Sequence, residues 1–172
     1  MLIRVRGGEA GIREYLEEGR KDGRDHSRAE LDERVILAGD LKLTDAIINS
    51  MDKQGERYLH ITLAFKEDEI SREQLQAITD EFQQFAMTAY EAEEYNFYAE
   101  AHLPRLKSYT NQQTGEFIER KPHIHIVIPE HNLLSQRNLN PFGKVDQQTK
   151  FLEAFQEHIN AKYGLASPKD NR

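Results

Sequence analysis

The spacing of apolar residues along the chain predicts an alternation of short strands and helices. Three segments of alternating or β-branched residues predict strands, at Leu2–Arg6, Val35–Leu37 and Tyr58–Phe65. Between them, Gly11–Lys21 and Thr44–Met51 have helical patterns, and the threonine that opens the second segment is a suitable N-cap. The first half of the chain is therefore predicted to place a helix between successive strands.

The second half continues this pattern and ends in a helix. Ser71 followed by Gln74 has the form of a capping box, and it opens a helix with one apolar stripe, formed by Leu75, Ile78, Phe82, Phe85 and Ala89. Tyr95–Leu103 and His123–Ile128 predict the two strands of a long hairpin, and Thr149–Tyr163 predicts the last helix. This order of elements predicts an α+β fold in which helices cover a largely antiparallel central sheet.

The composition is that of a globular protein. The 172 residues suit one domain, with 38% hydrophobic and 31% charged residues. No apolar run has the length of a membrane span, so we expect no membrane insertion. The sequence has no cysteine, which suits a cytoplasmic protein and means that any metal must be held by His, Asp or Glu.

The net charge of −7 argues against nonspecific binding of nucleic acid over the whole surface, but it is compatible with a local basic groove. Basic residues concentrate between Arg13 and Arg34, and again near the predicted strand His123–Ile128. The candidate contacts to nucleic acid are Arg13, Arg20, Lys21, Arg24, Arg105, Lys107, Arg120 and Lys121. A mixed, solvated surface is the alternative that charge alone leaves open.

Two histidines two residues apart carry the main candidate chemistry. His123 and His125 point to the same face of their strand, about 7 Å apart at the backbone. Antiparallel pairing of the hairpin brings His102 close to His123, which makes a three-histidine metal site available. Glu100 shares the face of His102 and is predicted to orient it, while His60 is either an ordinary sheet residue or a neighbour of the site. A histidine pair on an exposed edge strand, with no role, is the alternative.

The nature of the ligands indicates which metal and which chemistry to expect. Neutral imidazoles suit Mn, Zn, Ni or Co, whereas Mg usually prefers oxygen ligands. Three protein ligands leave positions open for a substrate, and an open divalent site beside basic residues suits phosphoryl transfer.

The nucleophile for such a reaction is not obvious from the sequence. There is no cysteine and no Gly-x-Ser-x-Gly elbow, so an activated water or a tyrosine is the candidate. Tyr15, on a predicted short helix before a charged segment, is the first choice among the tyrosines, although it also fits a packing position. Tyr109, between the two histidine strands, and Tyr90, at the end of a helix, are the rivals.

Taken in order along the chain, these motifs resemble a known family. They are an early tyrosine in GIREYLEEGR, the strand YLHITLAFKEDE before a long helix, one histidine in YNFYAEAH and the pair in KPHIHIVIP. This order resembles the mobilisation relaxases of conjugative plasmids, in the histidine–hydrophobic–histidine (HUH) endonuclease superfamily. The resemblance implies one relaxase domain over residues 1–172, as the N-terminal part of a longer protein. It also implies a divalent metal ion, Mg or Mn, with Zn, Ni or Co as alternatives.

The resemblance further implies that the protein nicks and rejoins single-stranded DNA at a plasmid transfer origin. By analogy, Tyr15 attacks the scissile phosphate, forms a 5′-phosphotyrosine link and releases a 3′-hydroxyl, while His102, His123 and His125 hold the metal. Accessory relaxosome proteins and a coupling protein would be partners. Many relatives carry an aspartate two residues after the first of these histidines, where this chain has Pro104, and Glu100 is the proposed replacement.

Three alternatives stay open at this point. A rolling-circle replication initiator of the same superfamily usually has its tyrosine on a helix after the histidine pair, where this chain has only Tyr163. A single-stranded DNA-binding module would keep the fold without the reaction. A hydrolase that uses a metal-bound water would turn over repeatedly and form no covalent adduct.

Overall fold

The computed structural model describes residues 1–19, 25–143 and 145–170, with side chains from residue 148 onward in the last helix. The strands are β1 Leu2–Gly8, β2 Asp32–Ala38, β3 Tyr58–Ala64, β4 Tyr98–Pro104, β5 Ser108–Thr110, β6 Phe117–Glu119 and β7 His123–Pro129. The helices are α1 Ile12–Glu18, α2 Arg28–Leu31, α3 Leu41–Ser50, α4 Arg72–Ala86 and α5 Val145–Tyr163. None of the helices described is long and apolar enough to cross a membrane.

Five of the strands form one antiparallel sheet in the order β1-β3-β7-β4-β2. The prediction of an α+β fold with a largely antiparallel central sheet is confirmed. The predicted pairing of the two histidine strands is also observed, because β4 lies antiparallel to β7. Their connection differs from a simple loop, since β5 and β6 form a separate two-stranded sheet within it.

One face of the sheet is the hydrophobic core. Alternate residues of β3 and β7, such as Ile61 and Ile124, are fully buried on this face. The stripe of α4 packs against them through Leu75, Ile78 and Phe82, as its spacing predicts, and α5 adds Leu152 and Ile159. Since side chains alternate along a strand, the histidines of β4 and β7 must point to the opposite face.

The opposite face is covered at one end by α1 and α3. Ile12 and Leu16 of α1 form a second cluster with Leu41 and Ile48 of α3, packed on the sheet residues Tyr58, Tyr98 and Val127. This smaller cluster fixes α1, the helix that carries Tyr15, above the face on which the histidines lie.

Several predicted boundaries are wrong by a few residues, for local reasons. Helix α3 starts at Leu41 because Asp40, not Thr44, caps it, with Oδ1 accepting from the backbone N–H of Lys42 at 2.9 Å. Thr44 lies buried inside the helix and donates to Asn96. Strand β4 starts at Tyr98, after a 3-10 turn, and β2 and α5 are longer than predicted.

Core and surface aromatics of the covering helices offer a matched test of this packing. Phe82→Ala, at a side chain with no exposure, should lower the free energy of unfolding by about 3–5 kcal/mol because it leaves a cavity. Phe151→Ala, at a side chain that is 64% exposed, should change it by no more than about 0.5 kcal/mol. Urea denaturation measures both, and equal effects would contradict the packing described here.

Candidate metal centre

Three histidines from two adjacent strands converge on the second face of the sheet. His102 of β4 pairs directly with His123 of β7, and His125 follows two residues later on the same face. The ring centroids are 5.1 Å apart for His102 and His123, 4.5 Å for His102 and His125, and 4.8 Å for His123 and His125. One nitrogen from each ring lies within 4.8 Å of the others, so the three rings could hold one metal ion.

Two of these imidazoles are oriented by hydrogen bonds at the nitrogen that faces away from the centre. His102 Nε2 lies 2.5 Å from Glu100 Oε2, and His123 Nδ1 lies 3.1 Å from the carbonyl oxygen of Lys121. A carboxylate or carbonyl at one nitrogen fixes that nitrogen as the protonated one and leaves the lone pair on the other. Histidine ligands of metals in proteins have this arrangement.

The third imidazole is oriented by a fourth histidine. His125 Nδ1 lies 2.8 Å from His60 Nε2, and the two ring centroids are 5.0 Å apart. His60 therefore borders the site, as one of the two interpretations of its sequence position allowed. If His125 donates this hydrogen bond, its Nε2 keeps a lone pair for the centre.

Two nitrogens of the cluster have no hydrogen-bond partner among the described residues. They are His102 Nδ1 and His125 Nε2, and both are buried. A buried polar atom without a partner costs roughly 1–3 kcal/mol, so such atoms call for a ligand. A divalent cation fits both the positions and the chemistry of these nitrogens.

Glu100 is held by more than His102. Arg34 donates to it from Nε at 2.7 Å and from Nη2 at 2.6 Å, and the Tyr98 hydroxyl donates at 2.7 Å. Burial opposes ionisation, but the hydrogen bonds from Arg34, His102 and Tyr98 outweigh it and lower the pKa of Glu100 to about 2. The carboxylate is thus charged and fixed. Arg34, which the sequence analysis missed, pairs with His102 across β2 and β4.

Burial keeps the imidazoles neutral. It is the main cause that lowers the pKa of His123 to about 4 and the pKa of His125 well below its ordinary value, and neighbouring imidazoles add to the effect. Burial, and then the charge of Arg6, lowers the pKa of His60 to about 4. Neutral rings retain the lone pairs that ligate metals.

Tyr15 lies against this cluster. Its ring centroid is 5.8 Å from that of His125 and 6.0 Å from that of His60, in edge-on contacts. The guanidinium of Arg28 lies 5.1 Å from the centroid of the same ring. Arg28 also donates to the carbonyl oxygens of Tyr15 at 2.9 Å and Leu16 at 3.2 Å, which ties the helix to α2.

The rival tyrosines have other neighbours. Tyr109 lies in the hairpin of β5 and β6, with its ring centroid 5.1 Å from that of His26. Tyr90 packs against the main core near the end of α4. Of the three candidates, Tyr15 is the one whose ring contacts the histidines of the site in the described part of the chain.

Three of the candidate DNA contacts are engaged with carboxylates. Arg13 pairs with Glu17 at 3.0 Å, and Lys121 pairs with an aspartate. Arg120 donates twice to Asp32, at 2.9 Å each, and its side chain is only 11% exposed. Burial opposes ionisation of Asp32, but Arg120 outweighs it and holds its pKa below the usual value.

The other candidates divide into two groups. Arg105 and Lys107 are exposed and line a surface cavity of about 550 Å³. Arg20, Lys21 and Arg24 lie outside the described residues. Acidic residues line the same cavity, namely Glu33, Asp68 and Glu69, so its charge is mixed and the basic groove stays a prediction from sequence.

Comparison of the chain with protein-family models and with curated proteins gives no match. The relaxase resemblance thus has no support from these comparisons.

Loss of a ligand should have a larger effect on metal affinity than loss of the residue that orients it. His125→Ala should weaken binding of Mn²⁺ by more than about 100-fold, and His60→Ala by about 10–100-fold, since outer partners contribute this much. His158→Ala, at an exposed position of α5, is the control and should leave the affinity unchanged. Isothermal titration calorimetry measures all three, and an unchanged affinity in His125→Ala would refute the metal site.

Proposed function

We propose that this protein is a metal-dependent relaxase, which cuts and rejoins single-stranded DNA through a covalent tyrosine intermediate. The observation that carries the proposal is the contact of the Tyr15 ring with His125, in a cluster of three imidazoles able to hold a metal ion. A hydroxyl nucleophile beside an open three-histidine site is the arrangement that phosphoryl transfer to a tyrosine requires.

The histidines have a binding role in this proposal. His102, His123 and His125 would hold the ion through their inward nitrogens, while Glu100 and His60 keep two of the rings in place. The bound divalent cation would polarise the scissile phosphate and offset the charge of the transition state. The three histidines are neutral at pH 7, so the nitrogens that face the ion carry no proton.

Tyr15 is the nucleophile in this proposal. Its Oη attacks phosphorus, a new Oη–P bond forms, and the bond from phosphorus to the 3′-oxygen breaks. The phenolic proton leaves Oη and a proton is taken up by the 3′-oxygen, so that the products are a 5′-phosphotyrosine and a free 3′-hydroxyl. Attack by a 3′-hydroxyl in the reverse direction restores both the DNA strand and Tyr15, because the phosphodiester energy is conserved in the link.

Arg28 positions Tyr15 for this step. It binds two backbone carbonyls of α1, lies over the Tyr15 ring, and is itself held by Asp32 at 3.1 Å. Helix α1 has only seven residues, so these contacts of Arg28 help to fix the position of the helix and of Tyr15 on it. The natural substrate would be a transfer origin, with relaxosome and coupling proteins as partners.

A covalent adduct tests the proposal directly. Protein with Mn²⁺ is incubated with a pool of randomised single-stranded oligonucleotides labelled at the 3′ end, and a denaturing gel separates the products. The 3′ label should travel with the protein, while a 5′ label should be released on a shorter fragment with a 3′-hydroxyl. Tyr15→Phe should abolish the adduct, whereas Tyr109→Phe, a matched loss of one hydroxyl, should retain it.

Each other outcome selects a different function. An adduct that persists in Tyr15→Phe and disappears in Tyr109→Phe keeps the reaction and moves the nucleophile. Cleavage without an adduct indicates a metal-dependent hydrolase. DNA binding without cleavage indicates a binding module, and an adduct mapped by mass spectrometry to Tyr163 favours a replication initiator.

The positioning role of Arg28 gives a separate prediction. Arg28→Lys keeps the positive charge but loses the planar set of donors that holds the Tyr15 and Leu16 carbonyls. The rate of adduct formation should fall by on the order of 100-fold, as expected for a displaced reacting group. The affinity for Mn²⁺ should stay unchanged in calorimetry, since the lysine keeps the positive charge that acts on His102 and His125. A parallel loss of metal affinity would indicate a general structural role instead.

A further inference from the structure

We propose that Arg4 and Arg6 on strand β1, termed the arginine edge, bind the phosphate backbone of single-stranded DNA as it leaves the histidine cluster. This proposal depends on the proposed function for its ligand, a single DNA strand. It assigns the DNA path to residues that the sequence analysis did not select.

Strand register places the arginine edge on the same face as the metal ligands. Arg4 is directly opposite Thr62 of β3, and Thr62 is directly opposite His125 of β7. Arg6 is likewise opposite His60. Directly opposed residues of an antiparallel pair share a face of the sheet. Two strand spacings separate the backbone of Arg4 from that of His125, about 10 Å, which the length of an arginine side chain reduces further.

The residues between the arginines and the histidines have short side chains. Arg4 and Arg6 are exposed on the edge strand of the sheet. On the same face of β3, Thr62 and Ala64 have short, half-buried side chains, and the neighbouring His123 is also half-buried. A DNA strand with one phosphate at the histidine cluster would therefore meet no large side chain where it crosses β3 at Thr62 and Ala64 on its way to β1.

The two guanidinium groups are available to an anion. In the part of the chain that the structure describes, neither Arg4 nor Arg6 forms an ion pair, whereas Arg13, Arg120 and Lys121 all do. A free guanidinium binds phosphate through two parallel donors without first breaking an internal ion pair. Free arginines at this position are thus better suited to DNA than the paired residues.

Charge in the cavity beside Tyr15 is unfavourable for DNA. A cavity of about 520 Å³ between α1 and α3 is lined by Glu14 and Asp45 beside Tyr15. Glu14 would repel a phosphate backbone, whereas the guanidinium of Arg13, 3.5 Å from Asp45, offsets the charge of that carboxylate. Phosphates are therefore favoured at Arg4 and Arg6 over the rim of this cavity.

The salt dependence of DNA binding tests this assignment. Fluorescence anisotropy with a labelled oligo(dT) probe, in EDTA and at several salt concentrations, gives the affinity and the slope of log K against log[salt]. Each phosphate contact contributes about 0.7 to that slope for single strands. The double variant Arg4→Gln/Arg6→Gln should weaken binding and reduce the magnitude of the slope by about 1.4, and each single variant by about half as much.

Two controls separate this effect from others. Lys162→Gln, at an exposed position of α5 paired with Glu81, removes one positive charge on the other side of the sheet and should leave the slope unchanged. Calorimetry should show that Arg4→Gln, which leaves the charge of Arg6 beside His60 in place, binds Mn²⁺ as the wild type does, so that the histidine face is intact.

The outcomes for the arginine edge and for the proposed function are distinct. If the wild type binds oligo(dT) and the double variant has the same salt slope, the arginine edge is overturned. The relaxase proposal would still stand in that case. An equal change in Lys162→Gln would also overturn it, since it would reflect net charge alone. Failure of the wild type to bind any single-stranded probe would overturn both proposals.

Discussion

The register between β4 and β7 is the constraint on which the rest of the structure depends. His102 opposite His123 brings the two strands' imidazoles together, and the same register buries Ala101 and Ile124 against the helices. A shift by one residue would turn every side chain of a strand to the other face, so the apolar residues and the histidines specify the same pairing. The energy that stabilises the core therefore also fixes the geometry of the metal centre.

Two buried carboxylates, Glu100 and Asp32, each hold several side chains in place on the face of the sheet that carries the histidines. Glu100 holds His102 and is itself fixed by Arg34, while Asp32 joins Arg28 to Arg120. A buried charge that loses its partner is costly, so each network tolerates few rearrangements. One network sets the orientation of a ligand, and the other sets the position of the helix that carries Tyr15.

Local sequence patterns predicted the parts of this structure that depend on the faces of single elements. Alternation placed His123 and His125 together, helical spacing gave the core face of α4, and the hairpin brought in His102. These patterns did not predict the partner of each polar side chain. The pairing of β2 with β4, for example, follows from the strand order of the whole sheet and not from any local pattern. Arg34 was missed for this reason, and Arg28 was missed because its partners are backbone carbonyls of another helix, α1. Arg120, a candidate DNA contact, binds Asp32.

The alternation of apolar and basic residues in β1 predicts a strand, and it also places two arginines on one face of the sheet. Ile3 and Val5 pack on the core, which requires polar residues at Arg4 and Arg6 but does not require arginine. A role for the arginines follows only from the sheet order. In this order β1 is an edge strand, and β3 alone separates it from β7, the strand of His125. Glu14 and the ion pair of Asp45 with Arg13 lie near Tyr15, whereas the guanidiniums of β1 form no ion pair among the described residues, so an anionic strand would lie over β1. This arrangement is a property of the tertiary structure, since Arg4 and Arg6 come to the face of His125 only through the pairing of β1 with β3 and of β3 with β7.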